Sequence, residues 1–522
     1  MGTYLNPGLN NFIEDKQRLH YIDKTLLIKE LNNKIDIKDK FICSSRPRRF
    51  GKTMAANMIA AYYSKGCDSH EIFSDLKIST TPSFENHINK YNVIALDMNV
   101  IFRSKLKGCT TSESVDYFVI PELRKAFPNV NIPQIADLSF AIQSIYNETG
   151  EKFVIVIDEY DVLVREHADE EDLNAYIDML IKLFKNSYLR PAIALAYITG
   201  ILPIIRDSFQ SKLNNFKEVT MLDARELAPY IGFTREETKL LANNANMDMA
   251  ELERWYDGYC VDGVELYSPK SVIEAIERKK CGSYWTQTGS YEAVSNYIDL
   301  NIDGVKDDVI KMMAGESISV DILDFNNNLT SFRTKDDVFV YLIHLGYLAY
   351  DGESKTCRIP NNEIKSQWAN TLKRSANYSN VAAIIDVSKK LLEATQKKQE
   401  EVVAKALEKS HELLTSNLSY NNEQSLQSAI MLSYFYAYDY YTIIPEFTTG
   451  KGYADIVMIP FVPNIPALVI ELKKDKVAGG AIEQIKAKDY PCRLNGYKGN
   501  TLLVGINYDS KTKEHSCLIE KA

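Results

Sequence analysis

"DKFICSSRPRRFGKTMAANMIAAYYS", residues 39–64, decides the fold. It reads as a short apolar strand, a basic loop, and a helix with Met54, Met58, Ile59 and Tyr62 at helical spacing. A phosphate-binding loop, G-x-x-x-x-G-K-[ST], sits between such a strand and such a helix. Gly51, Lys52 and Thr53 fit that pattern, but Arg46 stands where the first glycine belongs, followed by Pro47, Arg48, Arg49 and Phe50. The N-terminus of a helix attracts anions because its first N–H groups are unpaired and its dipole end is positive. Gly51 lets the backbone approach a phosphate, Lys52 can reach the β- and γ-phosphates, and Thr53 can offer its hydroxyl to magnesium. The rival reading is a basic helix start that merely contains Gly-Lys-Thr.

A second stretch favours the phosphate cradle. "EKFVIVIDEYDVLV" carries a continuous β-branched run, Phe153 to Ile157, ending in Asp158 and Glu159. Such a run suits a strand buried on both faces of a parallel sheet. At its end Asp158 is placed to hold magnesium, and Glu159 to polarise an attacking water. "AIALAYITG" supplies another strand, ending at Thr199, which could sense the γ-phosphate, and "VIALDMNV" (93–100) supplies a fourth. Strands alternating with helices indicate a doubly wound α/β domain over residues 1–235.

The chain of 522 residues predicts several domains, and 45% hydrophobic residues exclude a disordered protein. A net charge of −9 argues against a coat of nucleic acid but leaves room for a local basic groove. The eight cysteines and seven histidines are scattered without zinc spacing, as expected of thiols in a reducing compartment. The N-terminus has no signal pattern, and the longest apolar stretch, "AIALAYITGILPII", is too short to span a bilayer. These features predict a soluble cytoplasmic protein without a membrane partner.

From residue 236 helical segments take over, and "DDVFVYLIHLGYLAYDGESKTCRIP" reads as a helix and a hairpin. Together they predict a helical, winged-helix-like lid over 236–375. "KKLLEATQKKQEEVVAKALEKSHELL" reads as one charged helix and "REHADEED" (165–172) as an exposed loop. The last hundred residues give the order α-β-β-β-α-β, a separate domain assigned to 376–522.

"YIDKTLLIKEL", "SRPRRFGKT", "VIDEYD", "ITGI…SKLNNF", "GFTREE", "WYDGY" and "YSPKSV", in this order, resemble bacterial AAA-ATPase-like proteins with a C-terminal PD-(D/E)XK nuclease-superfamily domain. Arg-Pro-Arg-Arg-Phe-Gly-Lys in place of a glycine-first loop is itself that family's pattern. The resemblance implies ATP and Mg2+ as cofactors, with Lys52, Thr53, Asp158 and Glu159 as their residues and the arginines as phosphate sensors. It implies a P-loop ATPase domain with a parallel sheet, a lid, and a restriction-endonuclease-like domain. Arg206 and Arg225 are candidates for an arginine finger.

In the last domain "GYADIVMI" and "ALVIELKK" place Asp455 on one strand and Glu471 and Lys473 on the next. Residues two apart in a strand face one side, so Glu471 and Lys473 converge, and a hairpin across "PFVPNIP" brings Asp455 beside them. Two carboxylates can hold magnesium, and Lys473 can position or deprotonate a water. Glu423 on the preceding helix and Gln484 on the following one complete the set. Tyr453-Ala454-Asp455 stands where the superfamily has Pro-Asp, which leaves the ligands intact. Residues 451–522 hold 11 basic against 8 acidic side chains, compatible with contact to nucleic acid. The leading expectation is a nucleotide-controlled, magnesium-dependent nuclease acting on DNA, in defence against foreign DNA. The alternatives are a nucleotide-driven switch whose nuclease-like domain binds without cutting, and a partner-associated signalling ATPase. A homo-oligomer is compatible with the sequence.

Overall fold

The computed structural model describes residues 2–204, 213–285, 302–322, 332–374, 379–414, 423–449, 452–462, 464–487 and 500–522. By compactness the chain divides into two units. One comprises Met1–Trp285 with Val320–Cys357, the other Thr286–Ser319 with Arg358–Ala522. The expected lid over 236–375 is therefore divided, and its helices Arg235–Ala245, Met249–Tyr256 and Pro269–Arg278 belong with the ATPase-like sheet. They bury Phe233, Leu241, Leu252, Tyr256, Tyr267 and Ile276 in a small core of their own, against which Ile22 packs. The helix Lys335–Leu345 and the short strands Ala349–Asp351 and Thr356–Arg358 follow as read.

The first unit is built on five parallel strands: β1 (Phe41–Ser45), β2 (Asn92–Asp97), β3 (Phe153–Asp158), β4 (Ile193–Gly200) and β5 (Lys217–Val219). Their order across the sheet is β2-β3-β4-β1-β5. Every residue of β1, β3 and β4 is buried, which explains their unbroken apolar runs. Helix α1 (Lys52–Tyr63) leaves the loop after β1. The register sets Asp97, Asp158, Thr199 and Ser44 side by side at the C-terminal ends of four neighbouring strands.

Two local expectations need correction. The strand predicted over 93–100 ends at Asp97, whose carboxylate accepts the amides of Asn99 and Val100 and starts the helix Met98–Arg103. The acidic run 165–172 is an exposed loop only over its middle, residues 166–169. Asp169 caps the helix Glu170–Phe184, whose first turn gathers acids at the positive dipole end. Asp172 is buried, accepting from the amide and hydroxyl of Thr111 and pairing with Lys105 at 2.7 Å.

In the second unit the long charged helix is two, Ser379–Gln396 and Glu400–Leu414, turning at Lys398 with φ 57°. The α-β-β-β-α-β order holds: α2 (Glu423–Ser433), β6 (Tyr441–Thr449), β7 (Gly452–Pro460), β8 (Ala467–Lys474), α3 (Ala478–Ala487) and β9 (Thr501–Tyr508). A further strand, β10 (His515–Lys521), pairs antiparallel with β9. The sheet runs β6-β7-β8-β9-β10, and within it only β8 and β9 are parallel. Alternation divides the side chains between two cores. Ile456, Met458, Ile470 and Leu472 pack with Leu391, Leu426 and Ile430, while Val457 and Val469 pack with Ile482 and Ile485 of α3.

Candidate functional site

The loop between β1 and α1 achieves its curve without the first glycine. Arg49 (φ 71°) and Gly51 (φ 92°) take left-handed conformations, and Gly51 caps the helix. Phe50 is buried, with its ring edge-on to Tyr259 at 5.7 Å and to Trp285 at 6.2 Å. Pro47 lies under Gly346, whose carbonyl accepts from the Tyr259 hydroxyl at 2.6 Å. The loop is thus held in shape by aromatic packing and a proline, where a glycine-first loop relies on backbone freedom.

Lys52 is buried and donates to the carbonyls of Arg46 and Pro47, each at 2.9 Å. Burial pulls its pKa down to about 8, against the opposing pull of Asp158. Thr53 Oγ1 donates to Asp158 Oδ2 at 2.7 Å. Burial raises the Asp158 carboxyl to about 6, although the Thr53 hydrogen bond and Lys52 both favour its charged form. The hydroxyl and the carboxylate are hard oxygen donors in contact, a set that fits magnesium. Thr199 Oγ1 is buried at the end of the intervening strand β4, without a hydrogen-bond partner among the described residues.

Glu159, expected to polarise a water, is engaged by a neighbour. With φ 52° it turns to Arg165, whose Nη2 donates to Glu159 Oε2 at 2.7 Å. Arg165 also pairs with Asp161 at 3.1 Å, and Asp161 accepts the amides of Ile201 and Leu202. Motif reading did not find Arg165, because it lay in the run taken for a loop.

Arg46 is set apart from the other loop arginines. Its side chain is fully buried and donates to the carbonyls of Ser45 and Thr220, while Nε and Nη2 have no partner among the described residues. Burial lowers its pKa to about 10. It fills the place behind the loop, whereas Arg48 is half-buried and Arg49 exposed. Arg225 pairs with Asp223 and lines a cleft with Lys38 and Lys217, away from the phosphate loop of its own chain. Arg206 lies outside the described residues.

An apolar cleft opens beside Gly51, lined by Tyr21, Ile22, Met54, Met58, Phe233 and Ile273. Lys24 closes its rim, with Nζ 2.5 Å from Glu237 and 2.7 Å from the Pro229 carbonyl. Two motifs far apart in sequence, "YIDKT" and "GFTREE", meet in that ion pair. The chemistry of their apolar neighbours had no sequence signal beyond helical spacing.

In the second unit Ile456 pairs with Ile470, so the next step of the antiparallel ladder sets Asp455 level with Glu471. Asp455 Oδ2 accepts the Leu472 amide at 2.6 Å. Glu471 is buried, and its Oε1 accepts from Lys473 Nζ at 3.2 Å and from the Gln484 carboxamide. The strand places Glu471 and Lys473 on one face, and α3 brings Gln484 over it. Gly505 permits that approach. It is level with Glu471 on β9, and a Cβ there would meet the Ala478 carbonyl at 2.5 Å. Gln427 of α2, missed in the sequence, donates to the Asp455 carbonyl at 2.6 Å. Glu423 opens α2, but its side chain lies outside the described ones. Among the described residues no cluster of three or more Asp, Glu, His or Cys forms. The carboxylate pair suits a hard ion that keeps several waters, as magnesium does.

A parallel sheet with a phosphate loop at one strand end, followed by a mixed sheet presenting Asp, Glu and Lys, defines a nucleoside-triphosphatase fold joined to a nuclease-like fold. Residues 8–210 match the AAA-ATPase-like family, described as predicted AAA-ATPase, and residues 421–516 match the PD-(D/E)XK nuclease superfamily. The chain therefore joins a domain of the first to a domain of the second. An uncharacterized protein from the vnfD 5' region of Azotobacter chroococcum mcd 1 is 22% identical over 294 residues. That alignment covers 54% of this chain and 54% of the relative, so the match spans about half of its length. Among solved structures, a Walker-type ATPase of Pyrococcus abyssi is 12% identical with a TM-score of 0.33, covering 67% of this chain and 97% of its own. The Aeropyrum pernix ORC2 protein is 11% identical with a TM-score of 0.30, covering 67% and 91%. Among the described residues no helix is long and apolar enough to cross a membrane.

Proposed function

We propose that the chain binds and hydrolyses ATP with magnesium and carries a magnesium-dependent nuclease site that cuts nucleic acid, DNA first among its substrates. The observation behind the nuclease reading is the convergence of Glu471, Lys473 and Gln484, with Asp455 level across the ladder. In the ATPase site Lys52 would leave the loop carbonyls for the β- and γ-phosphates, and Thr53 with Asp158 would hold the metal. Tyr21, Ile22 and Ile273 would enclose the base. Glu159 would orient the attacking water once Arg165 yields it. In the nuclease site Asp455 and Glu471 would hold the ion. Bound there, magnesium supplies charge stabilisation and lowers the pKa of its water. Lys473 would orient that water toward the scissile phosphorus, with Gln484 fixing the Glu471 carboxylate.

A second reading has one observation behind it: Glu471 Oε1 is already engaged by Lys473 and Gln484. A domain so arranged could hold nucleic acid without cutting it. A cleavage assay on the purified chain separates the two. With magnesium and ATP, wild type is expected to cut, and Asp455→Ala and Glu471→Ala to lose cutting together with metal affinity. Lys473→Ala is expected to lose cutting while keeping metal and nucleic-acid binding, since its role falls mainly in the transition state. Equal cutting rates for Lys473→Ala and wild type would sink the nuclease reading.

A further inference from the structure

A cleft of about 440 Å³ lies at the N-terminal ends of the strands, the sheet edge opposite Lys52 and Asp158. Lys38 just precedes β1, Arg190 precedes β4 and Lys217 opens β5, and Arg225 joins them. Among the lining residues these four cations meet one acid, Asp39, while Asp223 pairs with Arg225 from outside the lining. Asn214, from the "SKLNNF" motif that the nucleotide site leaves unused, adds an exposed carboxamide.

The cations are held in place. The Arg190 guanidinium lies over the Phe41 ring at 5.0 Å, and its Nη2 donates to the Lys38 carbonyl at 2.7 Å. One face of a planar cation is thus covered by an aromatic ring. Lys217 shares Glu226 with Lys34 at 2.9 and 2.8 Å. Hydrogen bonds from Lys34 and Lys217 bring the Glu226 carboxyl down to about 2. Burial lowers the pKa of Lys40; Asp36 opposes that shift, and Arg190 and Lys152 add to it. A positive cleft of this kind on a chain of net charge −9 is a local field with a chemical preference.

We propose that this cleft binds the phosphodiester backbone of a nucleic-acid strand, giving the ATPase unit its own contact to the substrate. The proposal rests in part on the nuclease reading, which supplies the reason for such a substrate. Lysine and arginine answer phosphate charge, Asn214 can answer a sugar or base edge, and an open cleft suits a chain that passes through it. Its size is that of a site for a nucleotide or two.

The test uses the full chain without divalent metal, so that nothing is cut. A fluorescein-labelled single strand of about 20 nucleotides, as DNA and as RNA, is titrated by anisotropy at several salt concentrations. Lys38→Gln with Lys217→Gln removes two cations, while Lys34 keeps Glu226 paired. For two lost phosphate contacts the log–log salt slope is expected to fall by about 1.4. Binding of a fluorescent ATP analogue, measured separately with magnesium and no nucleic acid, is expected to stay unchanged, because its site lies at the other sheet edge. Asp455→Ala with Glu471→Ala is expected to bind the strand with an unaltered contribution from Lys38 and Lys217. A failed nuclease therefore does not erase the result. Unchanged slope and affinity in the Lys38/Lys217 variant would overturn the proposal. So would finding that inorganic phosphate shields Lys38 from amine labelling while the strand does not, since the cleft would then take a small anion.

Discussion

Replacing Gly346 by alanine tests how the phosphate loop keeps its shape. Gly346 has φ 86°, a left-handed conformation that costs an L-residue about 1–2 kcal/mol. A Cβ there would come within 2.8 Å of Pro47 Cβ and 2.9 Å of Trp285 Cη2, both inside ordinary contact. Forcing extra volume into such packing costs about 1–3 kcal/mol more, so the total loss is about 2–5 kcal/mol. Gly150 is the control. Its φ is 71° and nothing stands near its Cβ direction, so Gly150→Ala isolates the backbone share of about 1–2 kcal/mol. Because the Pro47 carbonyl accepts from Lys52, moving Pro47 misplaces the lysine and is expected to weaken ATP binding tenfold or more, about 1.4 kcal/mol. Urea unfolding followed by tryptophan fluorescence measures the stability, and calorimetry measures ATP affinity. If Gly346→Ala and Gly150→Ala lose the same stability and both bind ATP like wild type, the buttress has no role in shaping the loop.

Three further outcomes are expected. Lys52→Ala weakens ATP binding strongly, whereas Glu159→Gln retains binding and slows turnover, as calorimetry and a phosphate-release assay will show. Asp158 carries a carboxyl raised to about 6 from 3.8, so the stability linked to its protonated form is full below pH 4 and is lost as pH rises through 6. Asp158→Asn should therefore match wild type in urea midpoint near pH 4, exceed it by up to about 3 kcal/mol at pH 7, and fail to bind magnesium-ATP. Gly505→Ala, by pressing on the Ala478 carbonyl, is expected to cost about 1–3 kcal/mol and to slow cleavage by lifting Gln484 from Glu471, while Gly479→Ala, with open space around it, leaves the rate alone.

What was legible in the sequence was what local pattern encodes. Gly51-Lys52-Thr53 follows a strand and opens a helix, and Asp158 ends an apolar run, so their meeting through a 2.7 Å hydrogen bond followed from the fold. Glu471 and Lys473 share a face because a strand alternates. Arg46 and Phe50 were read as part of the phosphate cradle, yet their settings depend on Thr220, Tyr259 and Trp285, hundreds of residues away. No local pattern carries that information. Arg165 was hidden by its acidic neighbours, whose charge is used at a helix start and in buried ion pairs. Gly505 looked like any strand glycine, because the helix that needs its bare Cα comes from another segment.

The first unit is closed by a segment that the ribosome makes late. Residues Val320–Cys357 return to it after an excursion of the chain, and they bring Gly346 to Pro47. At about 5–20 residues per second, the sixty or so residues between Trp285 and Gly346 take roughly 3–12 s to synthesise. For that interval the Gly-Lys-Thr loop has Tyr259 and Trp285 in the nascent chain but not the Gly346 backbone that lies against Pro47. A product cut short before residue 346 would keep every signature residue of the nucleotide site and lack the Gly346 side of its mould.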